Sequence, residues 1–186
     1  MTELSQRITE RRADVGFQDR LAASMSENQA ALNRLAVASV PEAVIFDVDG
    51  TLCDVTSIRY LVDGTVVPKR YDEFHERSAG CKPHQWVVDE AIAQDRLGRQ
   101  VFVVTGRKER YRRLTEGWLN HWLVPHTALL MRGDSDHRPD HVVKEEILLA
   151  MLAPYRVVQV WDDRPSVVDM WRSHGLDVTV VPGWVS

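Results

Sequence analysis

Short apolar runs recur along most of the chain, and each one ends in polar residues. Ala43 to Phe46 (AVIF) leads into Asp-Val-Asp-Gly, Val101 to Val104 (VFVV) into Thr-Gly-Arg, and Ala128 to Met131 (ALLM) into Arg-Gly-Asp. Val157 to Trp161 (VVQVW) leads into Asp-Asp-Arg, and Val178 to Val181 precedes Pro182 and Gly183. Between these runs, helical stretches are predicted near 84 to 97, 108 to 122, 141 to 152 and 165 to 174. Short apolar strands that alternate with amphipathic helices predict a parallel sheet covered on both faces, an α/β doubly wound fold. Segment 52 to 82 breaks this rhythm. Within it Ile58 to Val62 and Thr65 to Val67 flank Asp63-Gly64, a type I′ turn signal that predicts a small flap hairpin over the strand ends.

Residues 1 to 40 contain no proline and only one glycine, Gly16. They place Leu21, Met25, Leu32, Leu35 and Val37 at loosely helical spacing and stop at Pro41, whose missing N–H breaks an element. The expected organisation is an N-terminal helical arm over 1–40, able to form a homo-oligomer, followed by a catalytic domain over 41–186. A length of 186 residues suits one full-sized domain. The formal charge of -4 argues against a protein that coats nucleic acid through overall basicity. Locally the balance reverses: Arg107 to Arg113 hold five positive charges and one negative, either a solvated helix face or a rim for a few phosphate contacts. Cys53 and Cys81 form neither a disulfide framework nor a zinc pattern, which fits a cytoplasmic protein. With strand-sized apolar runs and no hydrophobic signal core, neither a membrane partner nor export is expected. Among the six tryptophans, Trp118, Trp122 and Trp171 fall at core-facing helical spacing and Trp161 on a strand, so core packing is expected before base stacking.

In doubly wound sheets ligands bind at the carboxyl ends of the strands, so the residues that follow each run are the candidates for chemistry. Asp47 and Asp49 stand two residues apart where the first strand ends. Asp47 could attack phosphorus as a carboxylate nucleophile, and Asp49 could protonate the leaving oxygen and later take a proton from water. Gly50 and Thr51 allow a tight turn that aims backbone N–H groups at phosphate. Thr105, Gly106 and Arg107 could hold that phosphate at the next strand end. Lys144 could neutralise both the phosphate and the nucleophile, though a lone lysine among glutamates also suits a solvated surface. A phosphate dianion and a carboxylate repel each other, so a divalent cation is required. Mg²⁺ would find oxygen ligands in Asp47, the main-chain carbonyl of Asp49, and Asp162 or Asp163. His137 and His141 lie on the substrate side of this arrangement, and Cys53 fits a small packed residue.

The ordered set Asp47-Val48-Asp49-Gly50-Thr51, Thr105-Gly106-Arg107, Lys144 and Asp162-Asp163 resembles the haloacid dehalogenase superfamily of aspartate-nucleophile phosphotransferases. Over roughly residues 42 to 181 it is closer still to the phosphatase domain of phage-type polynucleotide kinase/3′-phosphatase. That likeness includes His141-Val142-Val143-Lys144-Glu145-Glu146-Ile147 and Val167-Val168-Asp169-Met170-Trp171-Arg172. The resemblance implies Mg²⁺-dependent hydrolysis of a 3′-terminal phosphate on DNA, RNA or a nucleoside 3′-phosphate. By position, Asp47 would be the nucleophile, Asp49 the general acid/base, Thr105 and Lys144 phosphate ligands, and Asp162 and Asp163 the metal acids. Arg107, Arg132 and Asp140 match positions that shape the substrate side. The family also places an arginine in the flap, a role for which Arg59 and Arg70 compete. His141 stands where the family carries an acidic residue. No GxxxxGK[ST] phosphate loop occurs in the sequence, so 5′-kinase activity is not expected; a separate kinase or ligase is a candidate partner that the sequence leaves open.

Two other functions stay open on sequence alone. One is a phosphatase for small nucleotides or another metabolite, since no large cap domain is present. The other is a non-catalytic subunit that binds a partner through the arm, a reading opposed by the cost of clustering Asp47, Asp49 and Asp162 without a cation or phosphate.

Overall fold

In the computed structural model of the protein, the described residues are 19, 22–30 and 40–183. The chain divides into two compact units, Met1–Val40 and Pro41–Ser186. In the first unit residues 22–30 are helical (α1) and Met25 is exposed. Leu21, Leu32, Leu35 and Val37, the remaining apolar positions of the expected arm, lie outside the described residues.

The second unit alternates strands and helices in the order β1 (Glu42–Phe46), α2 (Tyr71–Ser78), α3 (Gln85–Arg96), β2 (Gln100–Lys108), α4 (Arg112–His121), β3 (Ala128–Arg132), α5 (Asp140–Met151), β4 (Arg156–Asp162), α6 (Pro165–Ser173) and β5 (Val178–Val180). All strand pairs are parallel, and the sheet order is β3-β2-β1-β4-β5. The chain starts in the middle, winds outward to β3, and returns past β1 to lay down β4 and β5. Strand order therefore reverses between β1 and β4, where an open α/β sheet forms its ligand crevice.

Period-2 alternation assigns the core. Val44, Phe46, Val101 and Val103 face one side with Val87, Val88 and Ala91 of α3 and Trp118 and Leu119 of α4. Ala43, Ile45, Phe102 and Val104 face the other with Val167, Met170 and Trp171 of α6 and Ile147 and Leu148 of α5. A sheet buried on both faces needs strands without a polar side, which accounts for the unbroken apolar runs. At the crevice the register is pinned by an aromatic stack: Phe46 and Trp161 are paired across β1 and β4, with ring centroids 4.3 Å apart and planes 11° from parallel. Asp47 and Asp162, the next residues in each strand direction, are thereby set side by side.

Two expectations change. The flap holds no hairpin among its described residues. It forms a single 3₁₀ turn over Arg59–Leu61 and then α2. Ile58, Leu61 and Val62 are buried together, at the three- and four-residue spacing of a helical turn and not the alternation of a strand. The Asp63-Gly64 signal is used locally, with the Thr65 N–H donating to Asp63 Oδ1 at 2.8 Å. The helix expected from 108 begins only at Arg112, because β2 runs on to Lys108 and a 3₁₀ turn over Glu109–Tyr111 intervenes. The helix N-terminus is thus removed from Thr105 and Gly106.

Candidate active site

A cleft of about 850 Å³ opens at the carboxyl ends of the strands, and Asp47, Asp49, Thr105, Lys144, Asp162 and Asp163 all line it. Three elements converge on its floor. Asp47 directly follows β1, with its N–H extending the ladder to the Trp161 carbonyl at 3.0 Å. Asp162 ends β4, and Asp163 follows it. Lys144 comes from α5, one turn beyond Asp140, so both side chains leave the same helix face.

Lys144 is 1% exposed. Its Nζ donates to Asp47 Oδ1 at 2.7 Å and to Asp162 Oδ2 at 2.8 Å, and lies 3.7 Å from Asp140 Oδ2. Burial opposes its charge, but Asp162, Asp47 and Asp140 outweigh that and hold the ammonium well above its ordinary range. Asp162 is held from three directions: Trp171 Nε1 donates to Oδ2 at 3.2 Å, the Arg164 N–H donates to Oδ1 at 3.1 Å, and Lys144 completes the set. Asp163 is different. Thr51 Oγ1 donates to its Oδ1 at 3.3 Å, while its buried Oδ2 has no hydrogen-bond partner.

Asp47, Asp162 and Asp163 each offer a carboxylate oxygen within 4.8 Å of the others. Burial first, and the neighbouring carboxylates second, push both Asp47 and Asp163 above the usual carboxylate range, with Lys144 opposing. Three clustered acids, one with an orphaned buried oxygen, fit a small hard cation that accepts oxygen ligands. The backbone makes room for this arrangement. Gly50 has φ +99°, and a Cβ there would stand 1.9 Å from Asp163 Oδ2. Gly50→Ala is therefore expected to lower the melting temperature and to abolish phosphate release together. The left-handed backbone alone costs about 1–2 kcal/mol, and the displaced carboxylate adds to it. A variant that melts and turns over like the parent would refute the close approach.

Asp49 belongs to a second network. Arg107 Nε and Nη2 donate to its Oδ2 and Oδ1 at 2.9 and 2.5 Å, and Arg107 Nη1 donates to Thr115 Oγ1 at 3.2 Å. Burial raises the Asp49 carboxyl, but the charge and hydrogen bonds of Arg107 prevail and lower it below the ordinary value. Arg107, which the sequence suggests for the substrate side, is instead 1% exposed and lies behind Asp49. The buried Thr105 hydroxyl accepts from the Arg107 N–H at 3.3 Å, which leaves its own proton to donate.

Arg132 and Asp140 form one wall. Arg132 donates to the Gly106 carbonyl at 2.8 Å and to Asp140 Oδ1 at 3.1 Å, and a Cβ on Gly106 would meet that same oxygen at 2.1 Å. Of the flap arginines, Arg70 lines the cleft beside Glu73, 3.2 Å away, and Arg59 sits in the 3₁₀ turn outside the cleft lining. His137 lines the cleft as well. Trp118, Trp161 and Trp171 are buried, as core packing requires, and Cys53 is buried too.

Sequence reasoning misses two residues. His75 of α2 places Nδ1 4.0 Å from Asp49 Oδ2, and desolvation holds its imidazole down to about 4 against the pull of Asp49. No spacing marks it, since the fold of the flap is not legible in the sequence. Trp171 reads as core only; its nine-residue separation from Asp162, across a strand end and one helix, is the signal that could reveal the indole contact.

The model of the family described as the polynucleotide kinase PNKP phosphatase domain matches residues 41–183. Among solved structures, the chain is similar to one in the "Structure of Pnkp1/Rnl/Hen1 complex", with 31% identity and a TM-score of 0.64 over 77% of this chain and 46% of that one. The "Structure of the Pnkp1/Rnl/Hen1 RNA repair complex" gives the same identity, TM-score and coverage of this chain, and 43% of the other. The chain thus spans less than half the length of these relatives. A class C acid phosphatase from Bacillus anthracis with tungstate bound shares the fold at 13% identity and a TM-score of 0.58, over 84% of this chain and 74% of that one. With its five-stranded parallel sheet and a family match that takes in all five strands, the chain belongs to the polynucleotide kinase phosphatase-domain family of haloacid dehalogenase-type phosphatases.

Proposed function

We propose that the protein is a Mg²⁺-dependent phosphatase that removes the 3′-terminal phosphate from polynucleotides, DNA or RNA, through an aspartyl-phosphate. The observation that carries this reading is the Asp47 carboxylate, anchored through Oδ1 by Lys144 at the floor of an open cleft, with Oδ2 left for attack. Asp47 Oδ2 forms the bond to phosphorus as the bond from phosphorus to the 3′ oxygen breaks, and the leaving oxygen takes a proton from Asp49. Water then attacks the acyl phosphate, Asp49 accepts its proton, and phosphate leaves with Asp47 restored. The Arg107 fork fixes Asp49 as a carboxylate, the form needed in the second half. Donation in the first half requires the carboxyl group to rotate off Arg107 and to carry the proton that it took from water in the preceding turnover. Thr105 and Lys144 bind the phosphoryl oxygens throughout.

Asp47, the Asp49 carbonyl, Asp162 and Asp163 would hold Mg²⁺, whose charge offsets the repulsion between phosphate and carboxylate. Arg132 and Asp140, braced on each other, would shape the substrate side with Arg70. Among the described residues no helix is long and apolar enough to cross a membrane. The family relative sits in an RNA repair complex, which supports a strand end as substrate and a kinase or ligase on a separate chain as a working partner.

The test is phosphate release from matched oligonucleotides that carry a 3′-phosphate, a 5′-phosphate or a 2′,3′-cyclic phosphate, in DNA and RNA, with Mg²⁺ or with EDTA. Release is expected from the 3′-phosphate only, and only with Mg²⁺. A preference for a free sugar phosphate over every nucleotide would overturn the assignment.

A further inference from the structure

Three of the five cations in segment 107–113 are already paired with carboxylates. Arg110 donates to Asp72 at 2.6 Å, Arg112 is paired with Glu109 and Glu116, and Arg107 is buried against Asp49. These cations are matched by carboxylates within the fold. The entry to α2 differs. Lys69 and Tyr71 line the cleft on either side of Arg70, where the flap enters α2. Tyr71 is 54% exposed. Among the described residues neither Lys69 nor Tyr71 has a hydrogen-bond, ion-pair or ring partner. An ammonium without an ion-pair partner and a half-exposed aromatic ring without a ring partner, two residues apart on a cleft wall, match a repeating ligand of phosphate and base. The cleft is also near the upper end of the volume that a small ligand fills, which leaves space beyond the phosphate and its sugar.

We propose that Lys69 and Tyr71 form the subsite for the nucleotide that precedes the phosphorylated end: Tyr71 stacks on its base, and Lys69 takes its internucleotide phosphate. This rests on reading the site as a 3′-phosphatase and has the strand leave it past the start of α2. Stacking tolerates any base, so the subsite selects for chain over mononucleotide and not for sequence.

The experiment uses full-length Asp47→Asn protein, which binds without turnover, and a fluorescently labelled single strand with a 3′-phosphate, read by anisotropy. Adding Lys69→Ala or Tyr71→Ala is expected to weaken binding about tenfold each. Lys69→Ala should also lower the slope of log affinity against log salt by about 0.7, the loss of one single-strand phosphate contact. Tyr71→Ala should leave that slope unchanged, and Tyr71→Phe should restore affinity. In protein with Asp47 intact, turnover of p-nitrophenyl phosphate should not respond to either substitution. Unchanged strand binding in both alanine variants would overturn the subsite, as would a Tyr71→Phe variant as weak as Tyr71→Ala. Binding that depends on Lys69 and Tyr71 without 3′-phosphate hydrolysis in the parent would retain the subsite and overturn the assigned reaction.

Discussion

Asp47→Asn is expected to lower phosphate release from every 3′-phosphorylated end by at least about 10³-fold, because a neutral amide oxygen cannot serve as the nucleophile. The substitution is nearly isosteric and keeps an acceptor for Lys144 Nζ, which lies 2.7 Å from Asp47 Oδ1. It also removes one of three carboxylates whose mutual repulsion and burial disfavour the charged state. The variant should therefore melt no lower than the parent. Measuring phosphate release beside thermal unfolding separates chemistry from folding: a well-folded variant that keeps its activity would remove the covalent mechanism.

Lys144→Met should fail on both counts. Lys144 is the one cation among the described residues that touches both Asp47 and Asp162, and it is buried. Without it two buried carboxylates lose their counter-charge, a change that costs about 3–5 kcal/mol in comparable buried pairs. For a chain of this size that corresponds to about 10 °C in melting temperature. Excess Mg²⁺ should recover part of the stability, since a bound cation can take over the charge, but not turnover, since the proposed phosphate ligand is gone. Thermal scans with and without Mg²⁺ check the first statement and phosphate release the second. A melting temperature unchanged in the absence of metal would show that the acids are already neutral in the folded protein.

The parallel sheet is legible in the sequence because both of its faces are buried: a continuous apolar run such as Val101 to Val104 suits a strand that has no polar side. The acids can be placed at strand ends for the same reason, and the structure gathers Asp47, Lys144, Asp162 and Asp163 at one edge. Relations that depend on topology are not legible. Arg107 looks like a phosphate ligand because nothing local shows Asp49, 58 residues earlier, as its partner. The flap looks like a hairpin because Asp63-Gly64 is a strong turn signal. The burial of Ile58, Leu61 and Val62 against a shared core decides otherwise, and that core exists only once the sheet has formed. The apparent basic rim is a similar case: Arg110 and Arg112 are spent on Asp72, Glu109 and Glu116, two of which are close neighbours in sequence.

The flap also bears on how product escapes. Ile58, Leu61, Val62 and Phe74 are sunk in the same core as the strands that carry Asp47 and Thr105. Lifting the roof would expose that core, so its opening would cost a large share of the domain's stability. It behaves as masonry and not as a door. In the proposed reaction phosphate and the dephosphorylated end would leave through the mouth of the cleft without movement of the flap, and the turnover rate should be insensitive to solvent viscosity.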